Sequence, residues 1–212
     1  MKQAQAPARF IVFEGGEGAG KSTQVQRLAA ALRARGDDVV TTREPGGSPG
    51  AEAIRGLLVS GDTARWSPVT EALLINAARA DHLERTIRPA LARGQWVICD
   101  RFADSTMAYQ GYGMGLDRAW LESLRQRIAG ETEPGLTLIF DLPVEVGLGR
   151  AVASQRYEKM GRPFHETLRA AFQDIAKSSD GRRRVVIDAG KSVDEVAAQV
   201  LSAVAAAYGL KP

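Results

Sequence analysis

The stretch RFIVFEGGEGAGKST, residues 9–23, decides the predicted architecture of this 212-residue chain. Residues 9–14 form a short apolar run with β-branched and aromatic side chains, which predicts a buried strand. Two glycines follow at once, and from Lys21 to Gly36 apolar residues recur at helical spacing, which predicts a helix. A strand, a glycine-rich loop and a helix therefore follow one another without interruption.

The loop at residues 15–22 (GGEGAGKS) matches the P-loop pattern G-x-x-x-x-G-K-[ST]. Its glycines allow backbone angles that turn successive N–H groups inward, and the start of the helix adds a positive dipole end. The pattern predicts that Lys21 reaches the β- and γ-phosphates of a nucleoside triphosphate and that the Ser22 hydroxyl holds Mg²⁺. A glycine-rich turn without a ligand is the alternative. The predicted nucleotide-binding residues are Gly15, Gly16, Glu17, Gly18, Ala19, Gly20, Lys21, Ser22 and Thr23.

Four further segments have the length and composition of strands, at residues 39–42, 96–99, 136–140 and 184–187. The longest helix is predicted over 67–93, with a kink or break at Pro89. The other helices are predicted at residues 51–59, 144–153, 166–177 and 193–208. Strands that alternate with helices predict a parallel sheet with helices on both faces. We therefore expect one α/β domain over residues 1–212, a P-loop NTPase three-layer sandwich with a five-stranded parallel sheet.

Polar residues stand directly after two of the predicted strands. Asp100 and Arg101 follow the strand at 96–99, and residues 43–47 (REPGG) follow the second strand. Ligands of open parallel sheets bind beyond the carboxyl ends of the strands, where these residues would meet the P-loop. Asp100 could then reach a metal ion on Ser22, and Arg101 could bind a second phosphate. A strand-end ion pair and a plain turn are the structural alternatives.

Composition and charge exclude several other classes of protein. With 44% hydrophobic and 25% charged residues, the chain has the proportions of a globular protein rather than a disordered or fibrous one. A net charge of +3 leaves little for a nucleic-acid-binding face, and no apolar run is long enough to span a membrane. We therefore expect a cytoplasmic protein with neither nucleic acid nor membrane as a partner. The single cysteine, Cys99, excludes an internal disulfide, and His82 and His165, without ligand-spaced partners, are expected to have surface or packing roles.

Four blocks of sequence spread along the chain form a distinctive pattern. They are FEGGEGAGKST (13–23), TREPGGSPGAEAIR (42–55), EALLINAAR (71–79) and CDRFADSTMAYQGYG (99–113), with a weaker similarity up to residues 164–166. Together they resemble the bacterial thymidylate kinases over nearly the whole chain. The REPGG and DR-x-x-x-S-x-x-AYQG patterns separate this family from adenylate, guanylate and cytidylate kinases. The resemblance implies a homodimeric enzyme that uses ATP and Mg²⁺ to phosphorylate dTMP to dTDP for dTTP synthesis.

The resemblance also implies which residues would bind the phosphate end of dTMP. Glu17 would meet the sugar 3′-OH. Arg55 and Arg101 would hold the dTMP phosphate, and Arg101 and Lys21 would contribute to catalysis. Asp100 would bind Mg²⁺ or its water.

Around the thymine base, the resemblance implies a second set of contacts. Arg79 would donate to a thymine carbonyl, and Tyr109 would pack under the deoxyribose and crowd out a 2′-hydroxyl. Glu44 would support the site, and the loop at Pro45 would wall it. The other residues expected to line the base are Ile75, Ser105, Thr106 and Gln110.

Two positions depart from the family pattern. Ile75 stands where the family commonly has a phenylalanine, so stacking on thymine worth about 0.5–1.5 kcal/mol would be lost. Gly18 stands where one class of the family has a P-loop arginine, so a cation must come from a short lid at about residues 154–162. Arg156 is the first choice for that cation, because the two residues after it match the family's lid. Arg150, on the preceding helix, is the rival.

Two other functions fit parts of the same pattern. A kinase of another nucleotide or nucleoside in this fold is the first alternative, and Ile75 is its best support. The second is a P-loop protein that binds nucleotide and regulates a partner without catalysis. The presence of Lys21, Ser22 and Arg101 argues against a pure binding protein, because such a protein needs no grip on an acceptor phosphate.

Overall fold

The computed structural model describes residues 7–150 and 156–210. Within these ranges five strands form one sheet: β1 Phe10–Gly15, β2 Val39–Arg43, β3 Trp96–Asp100, β4 Leu136–Asp141 and β5 Arg184–Asp188. All neighbouring strands are parallel, and the order across the sheet is β2-β3-β1-β4-β5. The predicted five-stranded parallel sheet is confirmed, with each strand close to its predicted position.

Helices connect the strands and cover both faces of the sheet. They are α1 Lys21–Ala34, α2 Pro49–Val59, α3 Pro68–His82, α4 Arg88–Ala92, α5 Ala103–Thr106, α6 Arg118–Ala129, α7 Val144–Arg150, α8 Arg162–Lys177 and α9 Val193–Tyr208. Two π-helical turns, Leu83–Ile87 and Met107–Gly113, join α3 to α4 and extend α5, and a 3₁₀ turn covers Tyr157–Lys159.

The side chains of the central strand β1 alternate between two apolar layers. Ile11 and Phe13 belong to the layer under α1 and α9, whereas Phe10 and Val12 belong to the layer on the opposite face. All six residues of β1 are buried. Burial on both faces explains why this strand reads as a continuous apolar run, and it confirms the three-layer arrangement.

Two predicted helices differ from the structure by more than two residues at a boundary. The break expected at Pro89 is a π-helical turn that precedes it, so Pro89 lies in the first turn of α4, where its missing N–H costs little. Helix α8 begins at Arg162, earlier than predicted, because Pro163 suits a first helical turn. Predicted residues 151–153 of the helix before it lie outside the described residues, as do residues 154 and 155 of the predicted lid.

The strand order places three loops side by side at one edge of the sheet. Because β3 lies between β1 and β2, Asp100 is in register with Phe13 on one side and with Arg43 on the other. The P-loop, the REPGG loop and the Asp100–Arg101 pair therefore meet at the carboxyl ends of adjacent strands, as predicted. In the ranges described, none of the helices combines the length and the apolar character needed to cross a membrane.

Candidate active site

The P-loop leaves the carboxyl end of β1 and leads directly into α1. Gly20, the residue before the helix, has φ +81°, a left-handed conformation that favours glycine. The side chain of Lys21 is buried, and its Nζ donates to the carbonyl oxygens of Gly15 and Gly16 at 3.1 and 2.7 Å. Burial and the nearby Arg101 guanidinium lower the pKa of Lys21 to about 8. Phosphate oxygens at this point would supply the negative charge that the buried ammonium favours.

Ser22 and Asp100 bring together the oxygen atoms that suit Mg²⁺. The Ser22 hydroxyl donates to Asp100 Oδ2 at 2.7 Å, which joins the start of α1 to the end of β3. Across residues 7–150 and 156–210, no group of three or more histidine, cysteine, aspartate or glutamate side chains is arranged to hold a metal. One hydroxyl and one carboxylate nevertheless fit Mg²⁺, which usually keeps several waters and takes substrate phosphate as a ligand.

Arg101 and Glu17 form an ion pair beside the P-loop. Arg101 has φ +73° and donates through Nη1 to the Gly15 carbonyl at 2.8 Å and through Nη2 to Glu17 Oε1 at 2.9 Å. The Tyr109 hydroxyl donates to the same Glu17 oxygen at 2.8 Å. Burial raises the pKa of Glu17, but Arg101 and Lys21 outweigh it and lower that pKa to about 2. Glu17 is therefore an ionised acceptor at neutral pH, suited to a hydroxyl group and too weak to act as a base.

A cluster of arginines lies beside the REPGG loop. Arg55 Nη1 donates to the Pro45 carbonyl at 2.7 Å, and the preceding Glu44–Pro45 peptide bond is cis. Burial, followed by the charge of Arg43, lowers the pKa of Arg55. Arg55 and Arg101 both line the same cleft. Two guanidinium groups in one partly buried place favour a dianionic ligand such as a phosphate monoester.

The opposite end of the cleft is organised around the buried carboxylate of Glu44. Its Oε2 accepts from Arg79 Nε at 2.8 Å, and its Oε1 lies 3.0 Å from His82 Nδ1. Arg79 also donates to Thr106 Oγ1 at 2.9 Å and to the Phe102 carbonyl at 3.0 Å. These contacts hold Arg79 in one orientation, with only 2% of its surface exposed. His82 is fully buried, which agrees with its predicted packing role.

One cleft of about 820 Å³ joins the two ends of the site. Its walls include the predicted P-loop residues Glu17, Gly18, Gly20, Lys21, Ser22 and Thr23. They also include the other predicted residues Glu44, Pro45, Arg55, Ile75, Arg79, Asp100, Arg101, Ser105, Thr106, Tyr109, Gln110 and Arg150. Of the predicted residues, Gly15, Gly16, Ala19 and Arg156 are not among its walls. The fold therefore brings nearly all predicted side chains to one cavity.

Arg156, the first choice for the lid cation, is buried rather than exposed to the cleft. Its side chain is fully buried and forms an ion pair with Glu71, a buried residue in the first turn of α3. Its backbone N–H donates to the Val59 carbonyl at the end of α2, at 3.2 Å. Arg150 instead is exposed and lines the cleft near the P-loop. Sequence order alone gave no sign of this partner on α3.

Gly18 is packed against the backbone of α7. It has φ +65°, and a Cβ built on it would collide with the carbonyl oxygen of Gly147. A Cβ on Gly147 would in turn lie 2.5 Å from the carbonyl oxygen of Glu17. The P-loop and α7 thus touch through two glycines, and no larger side chain fits at position 18 in this arrangement.

Glu14 was not predicted as part of the site, although it is buried directly before the P-loop. Its Oε1 accepts from the backbone N–H groups of Phe102 and Ser105 at 2.9 and 3.0 Å, and its Oε2 accepts from the Ser105 hydroxyl. Burial first, and then the charge of Asp104, raise the pKa of Glu14 to about 7. Glu14 thereby fixes the segment that follows Arg101. A charged residue at the end of an apolar strand was the signal for it.

Residues on two other segments line the cleft without having been predicted. Tyr157 packs edge-on against Tyr109, with ring centroids 5.5 Å apart, and burial raises its pKa to about 12. Lys191 and Ser192, in the loop between β5 and α9, also line it. Their position after a strand of a parallel sheet was the signal that could have found them.

Comparison with known proteins agrees with this geometry. The family model described as thymidylate kinase matches residues 13–200. A thymidylate kinase of Caulobacter vibrioides is 58% identical over 204 residues, which covers 95% of this chain and 98% of that protein. One from Dinoroseobacter shibae is 54% identical over 200 residues, with 92% and 96% covered. The crystal structure of thymidylate kinase from Ehrlichia chaffeensis superposes with a TM-score of 0.77 at 33% identity, covering 92% of this chain and 97% of that one. The family model that matches most of the chain and these close sequence relatives show that the chain belongs to the thymidylate kinase family.

Proposed function

We propose that this protein transfers the γ-phosphoryl group of ATP to dTMP, giving dTDP for dTTP synthesis. The observation that carries the proposal is a single cleft with two phosphate-binding ends. Lys21 and Ser22 stand on the P-loop side, and Arg55 and Arg101 stand on the acceptor side. A protein that only binds a nucleoside triphosphate has no need of the second group of cations.

On the donor side, the residues act through position and charge. Lys21 is placed to neutralise the β- and γ-phosphates, and the P-loop backbone holds them against the start of α1. Ser22 and Asp100 would hold Mg²⁺, which supplies further neutralisation of the phosphate oxygens when bound. Phosphoryl transfer between phosphates needs little covalent help, so position and charge are the main contributions of these residues.

On the acceptor side, the arginines orient the monophosphate as nucleophile. Arg55 and Arg101 bind its oxygens, while the ionised Glu17 accepts a hydrogen bond from the sugar hydroxyl. Tyr109 packs beneath the sugar, since its hydroxyl is tied to Glu17 and its ring faces the cleft. At the far end, Arg79 donates to a thymine carbonyl, and Ile75 packs against the ring.

Arg150 supplies the remaining positive charge at the transferring group. Position 18 has no room for an arginine, and Arg156 is paired with Glu71 away from the walls of the cleft. Arg162 is exposed and paired with Glu166 at 2.7 Å. Arg150 lines the cleft at the end of α7, next to the P-loop. A flexible arginine that reaches the phosphates at the transition state contributes to rate rather than to ground-state binding.

The protein acts as a homodimer in the cytoplasm. Support for a dimer comes from an exposed apolar face on the adjoining helices α2 and α3, where Leu57, Val69 and Leu73 are 39%, 46% and 49% exposed. Val69 and Leu73 are one helical turn apart and so lie on the same side of α3. Light scattering after gel filtration measures the mass directly, and a monomer at all concentrations contradicts the dimer.

A coupled ADP-release assay with dTMP, dUMP, dCMP, dGMP and AMP tests the proposed activity. We expect turnover with dTMP to exceed that with the others, and Lys21→Ala to lower it by orders of magnitude while circular dichroism stays unchanged. ADP release without an acceptor, or full activity of Lys21→Ala, contradicts the proposal. A stronger preference for another nucleotide would favour a kinase of different specificity, the candidate that Ile75 supports.

A further inference from the structure

The buried ion pair between Glu71 and Arg156 lies against a residue that lines the base end of the cleft. Glu71 Oε1 accepts a hydrogen bond from Gln110 Nε2 at 2.7 Å, while Glu71 Oε2 contacts the Arg156 guanidinium. The side chains of Glu71 and Arg156 are both 0% exposed, and Gln110 is 1% exposed. Glu71 lies on α3, Arg156 directly precedes the 3₁₀ turn Tyr157–Lys159, and Gln110 lies in the π-helical turn after α5. They form one closed cluster behind the cleft wall.

The charge of Glu71 determines which way the Gln110 amide points. An ionised carboxylate only accepts hydrogen bonds, so the NH₂ group of Gln110 must face it. The carbonyl oxygen of that amide, Gln110 Oε1, is buried and finds no hydrogen-bond partner among the described residues. Gln110 lines the cleft and its NH₂ group is bonded to Glu71, so Oε1 is the atom of this amide that remains to accept a hydrogen bond from a bound base.

Gln110 and Arg79 together present a fixed pattern to that base. Four of the five N–H groups of Arg79 are used in hydrogen bonds to Glu44, Asn76, Phe102 and Thr106, so one N–H on Nη1 is left as a donor, and Gln110 offers an acceptor. Thymine has a carbonyl at C4 and an N–H at N3, which match a donor and an acceptor in that order. Cytosine has an amino group at C4 and an unprotonated N3, and both oppose the pattern.

We infer that Glu71 and Arg156 are positioning residues for base selection. They act by holding the Gln110 amide with its carbonyl oxygen toward the cleft. The inference rests on the proposed function and names a role that the base-contacting residues do not have themselves. Arg156 is needed because a buried carboxylate without a counter-charge takes up a proton. A protonated Glu71 can donate to Gln110 Oε1, so the amide can turn and present NH₂ to the base.

The test compares dTMP with dCMP in wild type and in variants of the pair. In Glu71→Gln and Arg156→Met, the ratio of kcat/KM for dTMP to that for dCMP should fall by about tenfold or more, with KM for ATP unchanged. Arg156→Lys keeps the charge and should keep the ratio. The exposed Arg162→Met is the matched control for loss of an arginine on the same stretch of chain and should behave as wild type.

Stability is separated from selection by the double variant Glu71→Gln/Arg156→Met. It removes both charges together, so no uncompensated buried charge remains to unfold the protein. It should fold and show the same loss of discrimination as the single variants. A merely structural pair would instead lower kcat/KM for both nucleotides by the same factor. An unchanged dTMP to dCMP ratio in the folded double variant overturns the inference.

Binding measurements keep this result distinct from a failure of the proposed function. Isothermal titration of dTMP and dCMP against each variant reports the same discrimination without turnover. If wild-type protein releases no ADP with dTMP, the kinase activity is contradicted. If it still binds dTMP more tightly than dCMP, and the double variant lacks that preference, the inference is supported. Wild-type binding without preference between the two nucleotides overturns it.

Discussion

Replacing Glu14 by glutamine should change how the stability of the fold depends on pH. The Glu14 carboxyl is fully buried and accepts hydrogen bonds from Phe102 and Ser105. Its pKa is raised from 4.5 to about 7, chiefly by burial and then by the charge of Asp104. Glutamine has the same shape, keeps a carbonyl oxygen for the two backbone N–H groups, and never ionises.

The sign and size of the effect come from the raised pKa. Because the folded protein holds this proton more tightly than the unfolded chain, the stability due to Glu14 is fully present below pH 4.5 and is lost as the pH rises through about 7. At 1.36 kcal/mol per pKa unit, the shift is worth about 3 kcal/mol in full. About 2.5 kcal/mol of this falls between pH 5 and pH 8.5.

Urea unfolding at intervals from pH 5 to pH 8.5 measures this difference. The free energy of unfolding of Glu14→Gln, relative to wild type, should move in favour of the variant by about 2.5 kcal/mol as the pH rises. The exposed Glu84→Gln is the control for the general loss of a carboxylate. A constant difference between Glu14→Gln and wild type across the whole range would show that the hydrogen bonds keep Glu14 ionised, and the reasoning from burial would fail.

Three further predictions concern the substrate cleft. Arg79→Ala should raise KM for dTMP far more than KM for ATP, because in the proposed function Arg79 donates to a thymine carbonyl; equal effects would show that the arginine is only structural. Ile75→Phe should tighten dTMP binding about 2- to 10-fold in calorimetry, since an aromatic ring restores stacking, and weaker binding would mean that the cleft is overpacked. Arg150→Ala should lower kcat about 1,000-fold with little change in dissociation constants, whereas the exposed control Arg162→Ala should not, and normal turnover of Arg150→Ala removes it from the mechanism.

The sequence predicted those features that depend on neighbouring residues. The helix expected at 193–208 is found at Val193–Tyr208, where Ser192 and Glu195 form a capping box at its start. The strand at the start of the P-loop was equally clear, because its run of apolar residues is uninterrupted. Once the strands were placed, the rule that ligands bind at their carboxyl ends was enough to predict where the cleft lies.

Pairs formed between distant segments could not be predicted in this way. His82 meets Glu44 across 38 residues of chain, and nothing near either residue indicates the other. Arg156 was assigned to the lid from the residues that follow it, but its burial depends on Glu71, which is distant in sequence on α3. Residue spacing along a helix or strand predicts which side chains share a face. Which residues of two different elements touch depends instead on how those elements pack in the folded protein.

The contact between Gly18 and Gly147 limits which position of this protein could supply the arginine for the transferring phosphoryl group. An arginine at position 18 would have to displace the backbone of α7, and that helix ends in Arg150, the cation we assign to the transferring group. Gaining one arginine would therefore disturb the other before the new one could act. An arginine at position 18 and Arg150 at its present place on α7 are therefore incompatible, because the Gly18–Gly147 contact leaves no room for both.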